Sequence, residues 1–133
     1  MIIGFRIDVM DQNIKKKSRE LAIKVVRLHK QLSAVKKETV MSEELLRCGA
    51  GVGAELIKAE CAMDKNDQMA RIHKALQNCA EAKYWLELLH ETGYISEFEF
   101  TDALKICDEL GKLLIALVKA MRARRSEQLI KAK

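Results

Sequence analysis

Three observations predict an all-α fold, an up-down-up-down antiparallel four-helix bundle. Proline is absent and glycine is limited to six of 133 residues, so the turn punctuation of an all-β chain is missing. Aromatic residues make up only 5% while hydrophobic residues reach 49%. That composition supplies a core without supplying strand formers. The apolar residues recur at steps of three and four, the period of a helix with one inward face.

Asn13 to about Lys37 forms the first predicted helix, with Ile14, Leu21, Val25, Leu28, Leu32 and Val35 on its inward side. The second is expected to begin at Ser42 as N-cap, with Glu43 and Glu44 in the first turn, where carboxylates favour the helix dipole. Its inward row reads Leu45, Gly49, Val52, Leu56, Ala59 and Met63. Within it, Gly49, Gly51 and Gly53 are an anomaly, because each interior glycine costs a helix roughly 1 kcal/mol relative to alanine. Close approach of a neighbouring helix is the natural compensation, so this stretch marks the tightest contact of the bundle.

Asp64 or Asn66 can cap the third helix, whose expected row is Met69, Ile72, Leu76, Cys79, Lys83 and Leu86, with Trp85 and Leu89 beside it. Gly93 ends it as a left-handed cap. Ser96 and Glu99 then form the S-x-x-E capping box of a fourth helix, with Ile95 and Phe100 as its hydrophobic staple. That helix, Glu97 to about Arg125, carries two apolar rows. One runs Phe100, Leu104, Cys107, Gly111, Leu114, Val118, Met121, and the other Ala103, Ile106, Leu110, Leu113, Leu117, Ala120. A bundle core needs one row, and the second predicts a subunit interface. Residues 126–133 read as a basic tail.

Residues 1–12 stand apart from this helical pattern, since Ile3, Phe5, Ile7 and Val9 alternate with Gly4, Arg6 and Asp8 in a strand-like period. Docking on the bundle, pairing with another subunit and a flexible extension are all compatible with that pattern, and Met10 is an alternative start. Arg6 and Asp8 interrupt the apolar run, so it is neither signal peptide nor membrane span. Cys48, Cys61, Cys79 and Cys107 are scattered singly, without zinc or disulfide spacing, and read as buried reduced thiols. A cytoplasmic location follows from these features.

The stretches Ser42 to Ala59 (S-E-E-L-L-R-C-G-A-G-V-G-A-E-L-I-K-A) and Lys74 to Ile95 (K-A-L-Q-N-C-A-E-A-K-Y-W-L-E-L-L-H-E-T-G-Y-I) resemble the bacterial four-helix proteins of the 23S rRNA-intervening sequence family. The second helix departs from the family's S-I-G-A-N-I pattern, with Gly51 at the serine, Val52 at the isoleucine and Glu55 at the asparagine. Packing survives those changes, whereas a function of the polar residues would not. The resemblance implies a homopentameric barrel with no known catalytic activity. It extends to the accessory variability determinant proteins of diversity-generating retroelements, which implies nucleic acid and a reverse transcriptase as partners.

No enzymatic constellation stands out. Gly49, Gly51 and Ala54 satisfy G-x-G-x-x-A, but that fingerprint needs a preceding strand, and here the preceding residues are helical. Glu87 and His90 make a single E-x-x-H, half of a di-iron set, while His29 and His73 read as bundle residues. No cofactor or metal is expected, and a metal-dependent oxidase is a residual class that metal analysis would expose. No Ser-His-Asp or Cys-His arrangement can be argued.

Charge is the informative signal. Residues 13–37 carry nine basic residues against Glu20, and residues 119–133 six against Glu127, whereas residues 38–118 have a net charge of −7 within a total of +5. In an up-down-up-down bundle the two basic blocks share one end. Lys15, Lys16, Lys17 and Arg19 are expected beside Arg122, Arg124 and Arg125 as a polyanion site for RNA or DNA. Aromatic residues do not interleave with them, so contact with the phosphate backbone rather than base stacking is expected. The alternatives are a merely solvated face, and a structural or protein-interaction module that uses the second apolar row.

Overall fold

The computed structural model describes residues 12–131, and the expectations for residues 1–11 and 132–133 lie outside the described residues. Four helices follow one another: α1 (Gln12–Gln31), α2 (Val40–Glu60), α3 (Lys65–Glu91) and α4 (Glu97–Lys131). They pack antiparallel in chain order, with α4 closing back on α1. The core is aliphatic, with Leu21, Leu45, Ile72, Leu86, Leu89, Leu110 and Leu114 fully buried at its centre.

α1 buries Ile14, Leu21, Val25, Leu28 and Leu32 as its spacing predicts, but Val35 is 69% exposed. The cause is local. α1 ends in a π-helical turn, Leu32–Lys36, closed by Lys37 in the left-handed conformation (φ 57°). A π turn advances the chain by fewer degrees per residue than an α turn, so a step of three from Leu32 no longer returns to the inward face.

The second helix starts earlier than expected, at Val40, and Ser42 is not its N-cap. Glu38 does the capping, since its carboxylate accepts from the backbone N–H groups of Met41 (3.0 Å) and Ser42 (2.9 Å). Ser42 is instead buried, donating to the Glu38 carbonyl and bonding His29 Nδ1 at 2.9 Å. Gly49 and Gly51 behave as their cost demands, whereas Gly53 faces only Ser18 at 3.7 Å. A Cβ on Gly49 would lie 2.7 Å from Val25 Cγ1 on α1, and one on Gly51 would lie 2.8 Å from Asn78 Nδ2 on α3. α2 therefore approaches both neighbours through missing side chains. Met63, expected at the end of its inward row, is 82% exposed because α2 has already ended at Glu60.

Asp64 caps α3 by accepting from Asp67 N at 2.8 Å. The buried row is Gln68, Ile72, Ala75, Cys79, Ala82, Leu86 and Leu89, so Ala82 takes the place expected for Lys83. Lys83 points outward and pairs with Asp108 at 3.4 Å. Gly93, at φ 84°, lets the N–H of Tyr94 turn back to the Leu89 carbonyl (2.9 Å). The capping box is reciprocal, with Glu99 N to Ser96 Oγ at 3.1 Å and Ser96 N to Glu99 Oε1 at 2.9 Å. Ser96→Ala is expected to cost about 1 kcal/mol in a urea melt, the usual worth of such a cap.

On α4 the buried seam, Ala103, Cys107, Leu110, Leu114, Val118 and Met121, draws from both expected rows. The surplus is narrower than a second full stripe. Ile106, Leu113 and Leu117 are half-buried against the core along one flank, and Ile115, 44% exposed, lies on the opposite flank of the seam. α4 also runs past Arg125, so residues 126–131 are helix rather than a separate tail.

Charged side chains tie the helices across the outside. Arg47 joins Glu44 to Glu81, which also accepts from Trp85 Nε1 at 3.0 Å, and Glu55 binds Lys58 (3.2 Å) and Arg71 (3.3 Å). The Trp85 bond and then Arg47, against some opposing burial, hold the Glu81 carboxyl below its usual range. Burial pushes Glu55 upward, yet Lys58 and Arg71 together outweigh it. Both groups bind protons more weakly when folded than unfolded, so their stabilisation is complete above the unfolded value and lost as pH falls. Stability measured by urea unfolding should therefore decline from about pH 5 towards pH 3. Glu81→Gln should flatten that decline.

Candidate nucleic-acid interface

The cationic residues singled out in the sequence fall into two groups. At the start of α1, Lys15 is bound to Glu60 (3.0 Å) and Lys17 to Glu109, so half of that block is already neutralised. Lys16 and Arg19 are exposed. The Glu109 bond raises the Lys17 pKa, burial opposing it, and the ammonium is correspondingly less available to an outside anion.

The arginines of α4 are placed differently. Lys17 meets Glu109 and Lys24 meets Asp102, which fixes the antiparallel register of α1 against α4. From Glu109 the helix continues for 13 residues, roughly 20 Å, before it reaches Arg122. Lys15, Lys16, Lys17 and Arg19 thus share an end with Arg122, Arg124 and Arg125 without lying beside them, and the single fused patch expected from sequence is two clusters at different levels. On the other flank, His90 stacks on Phe100 at 4.3 Å and Cys79 faces Gly111, a register that brings Arg125 level with Lys65 at the start of α3.

Arg122, Arg124 and Arg125 are exposed, and none has an ion-pair partner among the described residues. The seam explains why they are there. It steps from Ala103 through Val118 to Met121, and the next positions with that spacing are Arg125 and Gln128. The buried seam ends at Met121, while helix propensity carries the backbone on to Lys131 with Leu129 and Ile130 exposed.

Other sequence candidates resolve as structure. Gly49, Gly51 and Ala54 lie inside α2 with no strand before them. His90 Nε2 lies 2.7 Å from Glu97 Oε2 and its ring stacks on Phe100, and Glu87 is exposed. Among the described residues no group of three or more His, Cys, Asp or Glu could hold a metal ion. No helix among them is long and apolar enough to cross a membrane.

The cysteines differ from expectation. Cys48, Cys79 and Cys107 are buried, but Cys61 is exposed because it follows the last turn of α2. Cys79 and Cys107 also meet, with Cys79 Sγ donating to the Cys107 carbonyl at 3.4 Å. Their separation of 28 residues across the α3–α4 hairpin was the available signal for this pairing. It shows only once the hairpin is folded.

Four antiparallel helices with an aliphatic core and a cationic helix end define a small four-helix-bundle protein. The chain belongs to the 23S rRNA-intervening sequence protein family, whose profile matches residues 10–116. It is similar to a solved protein of unknown function from the S23 ribosomal protein family of Bacteroides thetaiotaomicron. The two are 39% identical with a TM-score of 0.78, over 80% of this chain and 95% of that one. No curated protein matches the chain. The family match ends within α4, so Arg122, Arg124 and Arg125 lie beyond it.

Proposed function

We propose that this chain is a non-enzymatic, self-associating helical bundle that binds the phosphate backbone of RNA or DNA. The observation that carries the reading is the cluster of exposed arginines at Arg122, Arg124 and Arg125, which no carboxylate among the described residues neutralises. Guanidinium groups on a helix that outruns α1 suit phosphate oxygens in a forked geometry. Lys16 and Arg19 add a second contact level at the same end.

Self-association is supported by Ile106, Leu113 and Leu117, which remain half-buried along one flank of α4. A ring of copies, the homopentamer that the family resemblance implies, would repeat the cationic end and multiply weak contacts. A protein partner such as a reverse transcriptase would engage the assembly, not a catalytic site.

A salt-titrated mobility shift with a labelled RNA hairpin and a DNA duplex of matched length tests the reading. Binding should be present at 50 mM salt and fall steeply by 200 mM, with little dependence on sequence. Absence of a shift at low salt, or a shift that salt leaves unchanged, overturns it.

A further inference from the structure

Between α3 and α4 an open groove of about 390 Å³ has Cys79 and Cys107 in its floor, Ala80 and Gly111 as small flanking residues, and Lys83 and Lys112 at its rims. Each thiol is only 3% exposed, yet both line the one groove. A Cβ on Gly111 would sit 3.9 Å from Cys79 Sγ, so the glycine keeps the approach to the sulfur clear. The Cys79 thiol reaches the backbone of Cys107 itself, at 3.4 Å.

We propose that Cys79 and Cys107 are a peroxide-oxidisable dithiol that closes to an intramolecular disulfide across the α3–α4 hairpin. Cys79 reacts first. Gly111 leaves its sulfur open to the groove, and the adjoining Cys107 thiol lowers the Cys79 pKa against opposing burial, whereas the same contact and burial hold Cys107 in the thiol form. The Cys79 thiolate attacks one oxygen of hydrogen peroxide, the O–O bond breaks, and after proton transfer a sulfenic acid and one water remain. The Cys107 sulfur then attacks the Cys79 sulfur and displaces hydroxide, which takes the Cys107 proton and leaves as the second water. Two thiols are oxidised and one peroxide is reduced. The bond joins residues 28 apart and clamps α4, the helix that carries the arginines, to α3.

The test uses the full chain with Cys61→Ser, which removes the exposed thiol. After peroxide treatment under native conditions and alkylation in denaturant, peptide mapping should show Cys79 joined to Cys107, with the mass of two hydrogens lost and restored by dithiothreitol. The oxidised form should melt higher than the reduced form, as expected for a cross-link that restricts the unfolded chain. In the Cys61→Ser/Cys107→Ser chain, with its fold checked by circular dichroism, Cys79 should stop at a dimedone-reactive sulfenic acid. Alkylation of both thiols after peroxide treatment, or sulfinic acid at Cys79 with Cys107 still free in the single variant, overturns the proposal.

Discussion

Gly49→Val is expected to destabilise the folded chain by about 3 kcal/mol, the upper part of the usual overpacking range. The new Cβ alone would stand 2.7 Å from Val25 Cγ1 and 2.9 Å from Cγ2, and valine adds two methyl groups to that collision. Val25 cannot yield. It is fully buried, and a β-branched side chain in a helix has essentially one rotamer, so relief requires α1 and α2 to move apart. That separation would disturb the Leu21 and Leu45 layers as well.

Urea unfolding followed by circular dichroism should show a lower midpoint with an unchanged slope. Two companions make the measurement diagnostic. Gly53→Ala meets only Ser18 Oγ at 3.7 Å and Ser18 Cβ at 3.9 Å, so it should recover helix propensity and stabilise by up to about 1 kcal/mol. Val25→Ala should rescue part of the Gly49→Val loss, giving a coupling above about 0.5 kcal/mol in a double-mutant cycle. A Gly49→Val chain that unfolds with the parent would mean that the helices do not meet there.

The second large effect is on binding. Replacing Arg122, Arg124 and Arg125 together by alanine is expected to weaken RNA and DNA binding on the order of 100-fold at 0.1 M salt. The slope of log K against log salt should become shallower by about two to three, since each phosphate contact contributes about 0.7 to 0.9. The loss should be alike for all sequences. All three side chains are exposed, and alanine is the best helix former, so folding stability should hardly change. Lys17→Ala is a useful contrast, because its ammonium is already engaged by Glu109. It should leave the slope nearly unaltered, and a larger loss from Lys17→Ala than from the arginine variant would move the interface to α1.

The placement of these arginines also shows where a sequence reading reaches its limit. Antiparallel connectivity correctly sends the start of α1 and the end of α4 to one end. It says nothing of how far one helix outruns another. That distance depends on interhelical register, which Lys17 with Glu109 and Lys24 with Asp102 reveal only in the folded chain.

What the sequence determined by itself is local: the four helices, a cap for α3 at Asp64 or Asn66, the turn at Gly93, the Ser96–Glu99 box and the strain that three glycines place on α2. Each depends on atoms within a few residues of one another, so backbone geometry alone makes them legible. Tertiary structure decided which side of each helix turns inward at its margins. It chose Ala82 over Lys83, turned Val35 out behind a π turn, buried Ser42 under Glu38 and brought Cys79 to Cys107. Those outcomes depend on what the neighbouring helix presents at that level, a relation between distant segments that hydrophobic periodicity along one helix does not contain.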